Sequence, residues 1–341
     1  MQRRGERGLN GAGLPKLWGV LADFNESGSR MSRTVIVGLV ALATILLAPQ
    51  PSASSQVAEE CRVPVGVLAP GDLPSGASVL SCGVVGREIV SGGMGVKVPA
   101  PGSASFISAQ FVDGTSRTFG IRVGEDGKVS YPSQTTPLLA AAASPTSCDD
   151  DTYGLLGFKE YGTWNWYIGD GGKPAGLSVS GAQSAYADAI NNMTQTTNTC
   201  NYSDQVDASA AYQGTTTVES DISSTGTCTD PDSRSSIDAG NLPASWIAAT
   251  CAFTRGIPGF KDDLVQADIR FNTTDHDFSD GGCTTQFDVR ATLTHEVGHV
   301  FGLNDIYGAH EWLTMFGNGG PCETRARTLA KGDVLGMRSL Y

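Results

Sequence analysis

One short segment, residues 294–305, restricts the fold of this chain more than any other feature of its sequence. Its two histidines, His295 and His299, are four residues apart. On a helix they would project from the same face, so that both imidazoles could reach one metal ion. The apolar residues of this stretch and of the five residues before it fall within roughly 120° of arc, away from the histidines; they are Val289, Leu293, Val297, Val300 and Phe301. The pattern predicts a helix with a core side and a metal side.

The residues beside and after the two histidines indicate chemistry rather than a purely structural metal. Glu296 stands next to the first histidine, where its carboxylate could take a proton from water at a metal ion. Gly302 can adopt the left-handed conformation that ends a helix and reverses the chain. Asp305 could then return to the same metal, and a carboxylate oxygen is a normal zinc ligand. His310 is the alternative third ligand.

This order of residues resembles the active-site motif of the metzincin zinc endopeptidases, His-Glu-x-x-His-x-x-Gly-x-x-His. The chain departs from it at the last position, where it has Asp305, as snapalysin-type metzincins do, and Tyr307 follows as a tyrosine does in that type. Residues 313–316, which include Met315, resemble the metzincin Met-turn. Residues 333–341 resemble the closing helix of matrixins, in which an aspartate at the place of Asp333 supports that turn. The alternatives are a core methionine and a helix-capping aspartate.

The resemblance implies a fold and an activity for residues 148–341. The expected fold class is α+β (mixed α/β), with a twisted, mostly parallel sheet, an active-site helix and a C-terminal helix. The implied activity is hydrolysis of peptide bonds in proteins or peptides, with catalytic Zn²⁺ and with Glu296 as general base. The strand at 267–272 is expected to edge the cleft and pair with an extended substrate. The alternatives are a non-catalytic, zinc-stabilised adhesion or envelope module and a peptidase restricted to short peptides.

The part of the chain before residue 148 predicts export and a separate small module. The apolar run 35–48 follows Arg30 and Arg33 and has the order of a secretory signal peptide, with Met31 as its start. An uncleaved N-terminal membrane anchor is the alternative. We therefore expect an extension and signal over residues 1–54, a small β-rich module over 55–136 that is a candidate propeptide, and an Ala/Ser/Pro linker over 137–147. The Pro-Arg-Cys-Gly motif of matrixin propeptides is absent.

Composition and local patterns predict short strands with few helices. The chain has 43 glycines, and 17% of its residues are charged, which is typical of a loop-rich, sheet-containing protein. We predict strands at 105–112, 161–168 and 247–253, a helix at 181–198, and a half-exposed strand at 265–272, where apolar and polar residues alternate.

Eight cysteines, an even number without a CxxC pair, predict disulfides in an exported chain. Sequence does not fix their connectivity. The pairing that we expect is Cys61–Cys82, Cys148–Cys200, Cys228–Cys251 and Cys283–Cys322. The alternative for Cys82 is an inhibitory zinc ligand.

The net charge of -12 argues against a nucleic-acid partner, which needs a positive surface. No stable membrane partner is expected once the signal is removed, and the sequence leaves the oligomeric state open. Ca²⁺ is a further candidate cofactor, because acidic clusters supply the hard oxygen ligands that it prefers. The candidate ligands, which match no known loop pattern, are Asp149, Asp150, Asp151, Asp230 and Asp232. His276 could join a second metal site, although a solvated loop is the better interpretation.

Overall fold

The computed structural model describes residues 61–132, 145–317 and 319–341. These residues belong to one compact unit, Val57–Tyr341. The predicted signal segment and start residue, and most of the predicted linker, lie outside the described residues. The division between a module at 55–136 and a domain at 148–341 stays a prediction.

The described residues contain four α-helices. They are α1 (Val79–Cys82), α2 (Val179–Thr194), α3 (Val289–Val300) and α4 (Lys331–Leu340). Ser178 caps α2 by accepting a hydrogen bond from the Gly181 N–H, and Asp288 caps α3 by accepting one from Ala291. The predicted helices at 181–198 and around the two histidines are therefore present.

The strands range from two to eleven residues in length, so the expectation of short strands holds for some of them only. Before residue 132 they are β1 (Glu88–Ser91), β2 (Met94–Lys97), β3 (Ser103–Phe111), β4 (Ser116–Val123) and β5 (Val129–Ser130). After residue 145 they are β6 (Gly154–Leu155), β7 (Phe158–Lys159), β8 (Thr163–Gly169), β9 (Ser209–Thr216), β10 (Ser235–Gly240), β11 (Trp246–Arg255), β12 (Asp262–Asn272), β13 (Phe278–Ser279), β14 (Phe287–Asp288) and β15 (Leu303–Asn304).

Nine of these strands form one sheet, in the order β5-β4-β3-β11-β12-β10-β8-β9, with β7 also paired to β12. Within this sheet, the strands that follow residue 145 pair in parallel with one another, except for β11 with β12. The strands that precede residue 132 pair antiparallel, and β3 joins them to β11. The predicted α+β class is confirmed. A mostly parallel sheet describes only the part after residue 145, because the whole sheet is mixed.

The predicted role of the strand at 267–272 is wrong. It belongs to β12, which lies inside the sheet between β10 and β11, so that it cannot edge a cleft. The strand is also largely buried rather than half-exposed. Its polar residues are paired internally: Gln266 donates to Asp268 over 2.7 Å, and the Ser236 N–H donates to Asp268 over 2.8 Å. An alternation of apolar and polar residues therefore does not show that a strand is exposed, because buried polar groups can hydrogen-bond to one another.

Two hydrophobic cores lie on opposite faces of the sheet at β11. Ala248 and Ala252 belong to the core that contains α2, α3 and α4. Ala249, Cys251 and Phe253 belong to the second core, together with apolar residues of β3 and β4. Successive side chains of a strand point to opposite faces, so β11 contributes to both cores.

All four expected disulfides are present, and the connectivity is confirmed. Cys82 is bonded to Cys61, which excludes it as an inhibitory zinc ligand. Disulfides are typical of proteins that mature in an oxidising compartment. Within the described residues, no helix is both long and apolar enough to cross a membrane.

Candidate metal centre

The chain reverses at the end of α3 in the way that the sequence predicts. Gly302 has a φ of +89°, in the left-handed region that favours glycine. A side chain there would also collide with the Phe158 carbonyl oxygen. The reversed chain forms β15, which pairs antiparallel with β6 and leads directly into Asp305. This turn returns the aspartate to the helix that carries the histidines.

Three buried ligand atoms meet at this point. The Nε2 atoms of His295 and His299 are 3.2 Å apart, and Asp305 Oδ1 lies 3.3 Å from the first and 3.4 Å from the second. Ligands at zinc–ligand distances of about 2.0–2.1 Å around a tetrahedral ion lie about 3.3–3.4 Å from one another. The spacing of the three atoms is therefore that of one face of a zinc tetrahedron.

The hydrogen bonds of the two imidazoles leave the facing nitrogens free for a metal. His295 Nδ1 lies 2.9 Å from the Thr314 carbonyl oxygen, and His299 Nδ1 lies 3.0 Å from that of Leu303. Each carbonyl accepts an Nδ1–H, which places a lone pair on Nε2 in the neutral ring. Two such lone pairs and a carboxylate oxygen converge, and a cation satisfies all three. The residues present thus fit a metal ion, and their two nitrogens and one oxygen suit zinc.

Glu296 is fully buried beside this cluster. Thr250 of β11 donates a hydrogen bond to Glu296 Oε2, whereas Oε1 has no partner among the described residues. Burial raises the pKa of Glu296 to about 7, against the opposing influence of His295 and of the Thr250 hydrogen bond. One carboxylate oxygen is thus held in place and the other is left open.

Asp305 is surrounded by donors. Burial raises its pKa, but the neighbouring His299 and His295 outweigh that effect and hold the pKa of Asp305 below its usual range. Thr118 donates to Asp305 Oδ2 over 2.8 Å, and Ser116 donates to Oδ1. The Tyr307 hydroxyl lies 3.5 Å from Asp305 Oδ2. The pKa of Tyr307 is raised, mainly by burial and then by the neighbouring Asp305 carboxylate.

Asp333 both supports the Met-turn and caps α4, so the two interpretations of this residue hold together. Its carboxylate accepts the backbone N–H of Thr314 at 2.8 Å, of Met315 at 3.1 Å and of Ala330 at 2.9 Å. Met315 is buried and packs against Gly298, the residue just before His299. A side chain at position 298 would collide with the sulfur of Met315. The turn thus packs directly on the helix that carries the histidines.

The other candidate ligands lie elsewhere. His310 Nδ1 is 2.8 Å from Asp150 Oδ2, outside the cluster. His276 packs its ring against Phe287, with 5.5 Å between centroids. Among residues 61–132, 145–317 and 319–341, the one group of metal-binding side chains that converges is His295, His299 and Asp305. The acidic clusters that were candidates for calcium form no such group in this part of the chain.

Three hydroxyl residues of the site were not predicted from the sequence. Thr250 reaches Glu296, while Ser116 and Thr118 reach Asp305 from β4, almost 190 residues away along the chain. No local pattern marks these residues, because an alternating Ser/Thr stretch fits any half-buried strand. Thr250 reaches the site from β11 itself, whereas Ser116 and Thr118 reach it only because β3 pairs with β11 and β4 pairs with β3.

No known protein family and no curated protein matches the sequence of this chain. The resemblance to metzincins therefore rests on the residues quoted above and on their arrangement.

Proposed function

We propose that this protein is a secreted zinc-dependent endopeptidase of metzincin type, with His295, His299 and Asp305 as zinc ligands and Glu296 as general base. The convergence of the three ligand atoms at 3.2–3.4 Å carries the proposal. The chain reversal at Gly302, the turn held by Asp333 and the antiparallel β11 beside parallel strands give further support.

Zinc bound at this site supplies Lewis acidity that polarises a peptide carbonyl and makes water a better nucleophile. Glu296 accepts the proton of the attacking water and returns it to the leaving amine, which is general acid–base catalysis. Thr250 fixes one oxygen of Glu296 and leaves the other free for that proton. The Nδ1 hydrogen bonds of the two histidines orient both rings.

The principal rival is a zinc site that serves folding alone, in an adhesion or envelope module. The buried carboxylate of Glu296 argues against it, because one of its oxygens has no partner among the described residues. An unpaired buried polar atom costs about 1–3 kcal/mol, and a structural site gains nothing from it. A peptidase restricted to short peptides is the second rival, and the positions of the cuts distinguish it.

The test is hydrolysis of an unstructured protein by the zinc-loaded chain, assayed after a proteolytic cut between residues 132 and 145 and removal of the residues that precede the cut. We expect cleavage at internal positions, loss of cleavage on chelation, and recovery with added zinc. Cleavage that survives complete removal of the metal would contradict the proposal. Cuts confined to short peptides would favour the second rival.

A further inference from the structure

β11 pairs with β12 along one edge, and its other edge is occupied by β3. β3 pairs antiparallel along this strand, from Arg255 opposite Ser103 to Trp246 opposite Phe111. β11 is also the strand whose Thr250 contacts Glu296. The backbone groups nearest the proposed general base are thus already paired, and a further extended peptide cannot add to this edge.

The hairpin of β3 and β4 also reaches the third metal ligand. The hydroxyl oxygens of Ser108 in β3 and Thr118 in β4 lie 2.7 Å apart. The Thr118 hydroxyl donates a hydrogen bond to Asp305 Oδ2 over 2.8 Å. Ser116 donates to Oδ1, the oxygen that faces the two histidines. Both oxygens of Asp305 thus accept hydrogen bonds from residues that precede the predicted linker.

The end of the hairpin fits closely against the segment that follows Met315. A side chain at Gly317 would collide with the backbone nitrogen and the side chain of Ser116, so this approach requires glycine. Gln110 of β3 reaches α3, where its Nε2 lies 3.4 Å from the Thr292 carbonyl oxygen. These contacts hold the hairpin against α3 and against the segment that follows Met315.

The side chains of the metal centre are buried in this arrangement. His295 is 2% exposed, His299 is 1% exposed, and Glu296 and Asp305 are each 0% exposed. Hydrolysis requires a peptide bond to reach these groups, and the hairpin lies directly against one of them, Asp305. We infer that residues 103–123 are an intramolecular inhibitor that occupies the β11 edge and covers the metal centre until it is displaced. This inference rests on the proposed function.

The covalent structure permits such displacement. We call the residues up to 132 the first part of the chain. Cys61–Cys82 lies within this first part, and the other three disulfides join residues after 145. One cut between residues 132 and 145 therefore leaves the two parts held by noncovalent contacts alone. Those contacts include an apolar core on the far face, where the Phe111 and Trp246 rings lie 5.6 Å apart.

The test compares two glycine substitutions in the zinc-loaded full chain. Gly317→Ala places a methyl group against the backbone of Ser116, whereas at Gly320 a methyl group meets nothing within 4 Å. We expect Gly317→Ala to release zinc to excess chelator at least about tenfold faster and to hydrolyse a quenched fluorescent peptide at least about tenfold faster. Gly320→Ala should match the unsubstituted chain in both rates.

A gain of hydrolysis is the decisive sign, because a substitution that only damaged the site would lower it. If both rates in Gly317→Ala equal those of Gly320→Ala, the inference is overturned. It is also overturned if the unsubstituted chain already hydrolyses the peptide as fast as Gly317→Ala, and the proposed function then stands. If zinc release quickens but no form shows hydrolysis that depends on Glu296, the covering of the metal centre stands and the proposed function fails.

A second form of the experiment covers the case in which Gly317→Ala does not fold. A recognition sequence for a site-specific protease is inserted after Ala141, and the folded chain is cut there. Once the freed first part has been separated in dilute denaturant and the remainder returned to buffer, both rates should rise as for Gly317→Ala. Zinc release at the rate of the uncut chain would overturn the inference.

Discussion

The two parts of the large sheet supply residues to the metal centre by different routes. After residue 145, one helix and the turn that follows it provide His295, Glu296, His299 and Asp305 within a short stretch of sequence. Before residue 132, Ser116 and Thr118 reach the same aspartate only because β3 pairs with β11. A site built from local geometry leaves a sequence motif, whereas one completed by strand pairing does not.

The largest expected effect tests the local part of this comparison. Asp305→Ala should lower zinc affinity by more than the roughly 10–100-fold that is typical of losing a group that only supports a ligand. His310→Ala should leave zinc binding unchanged, because His310 pairs with Asp150 away from the cluster. Zinc content after dialysis against a weak chelator measures both. Metal retained by the Asp305 variant and lost by the His310 variant would reverse the ligand assignment.

The next effect concerns stability around the Met-turn. Asp333→Ala removes the acceptor of three backbone N–H groups in a fully buried place. We expect the free energy of unfolding to fall by about 3–5 kcal/mol, because buried donors lose their partner. Asp151→Ala, at an exposed carboxylate near Lys331, should cost less than about 1 kcal/mol. Denaturant titration with equal slopes checks both values, and equal losses would contradict the role of Asp333.

Much of the part after residue 145 could be predicted from sequence, for physical reasons. The apolar periodicity and the capping aspartate of α3 are visible in the sequence, and Gly302 marks the position where the chain reverses. Cysteines close in sequence are paired as expected. The place of β12 in the sheet could not be predicted, because Gln266 and Asp268 satisfy each other inside the protein. The docking of β3 could not be predicted either, because strand pairing uses backbone groups that every residue has.

A smaller effect tests how β11 links the two parts. Thr250→Val removes the hydroxyl that donates to Glu296 while keeping the shape of the side chain. Losing a hydrogen bond to a charged group costs about 1.5–3 kcal/mol, so kcat should fall about tenfold or more, with unchanged zinc content. Thr254→Val, at another buried threonine of β11, should leave kcat unchanged. Equal kcat values in the two variants would show that Thr250 does not position the base.

The smallest effect is a pH dependence at β12, beside the strand that joins the two parts. Burial raises the pKa of Asp268 well above its usual value, although hydrogen bonds from Ser236 and Gln266 oppose the shift. A carboxyl group with a raised folded-state pKa favours folding below its unfolded pKa, about 3.9, and this contribution is lost as pH rises through the folded pKa. The unfolding free energy of Asp268→Asn, relative to the unsubstituted chain, should therefore increase above pH 4. Urea midpoints from pH 4 to 7 measure it, and a constant difference would contradict the assignment.

The central claim is that Glu296 performs proton transfer at a zinc site that it does not itself form. The most direct measurement compares Glu296→Gln with Glu311→Gln, an exposed control, for zinc content and for hydrolysis after the first part of the chain has been cut away. We predict equal zinc content in both variants and hydrolysis lower by about 10²–10⁴-fold in Glu296→Gln alone. Full zinc content with undiminished hydrolysis in Glu296→Gln would contradict the account.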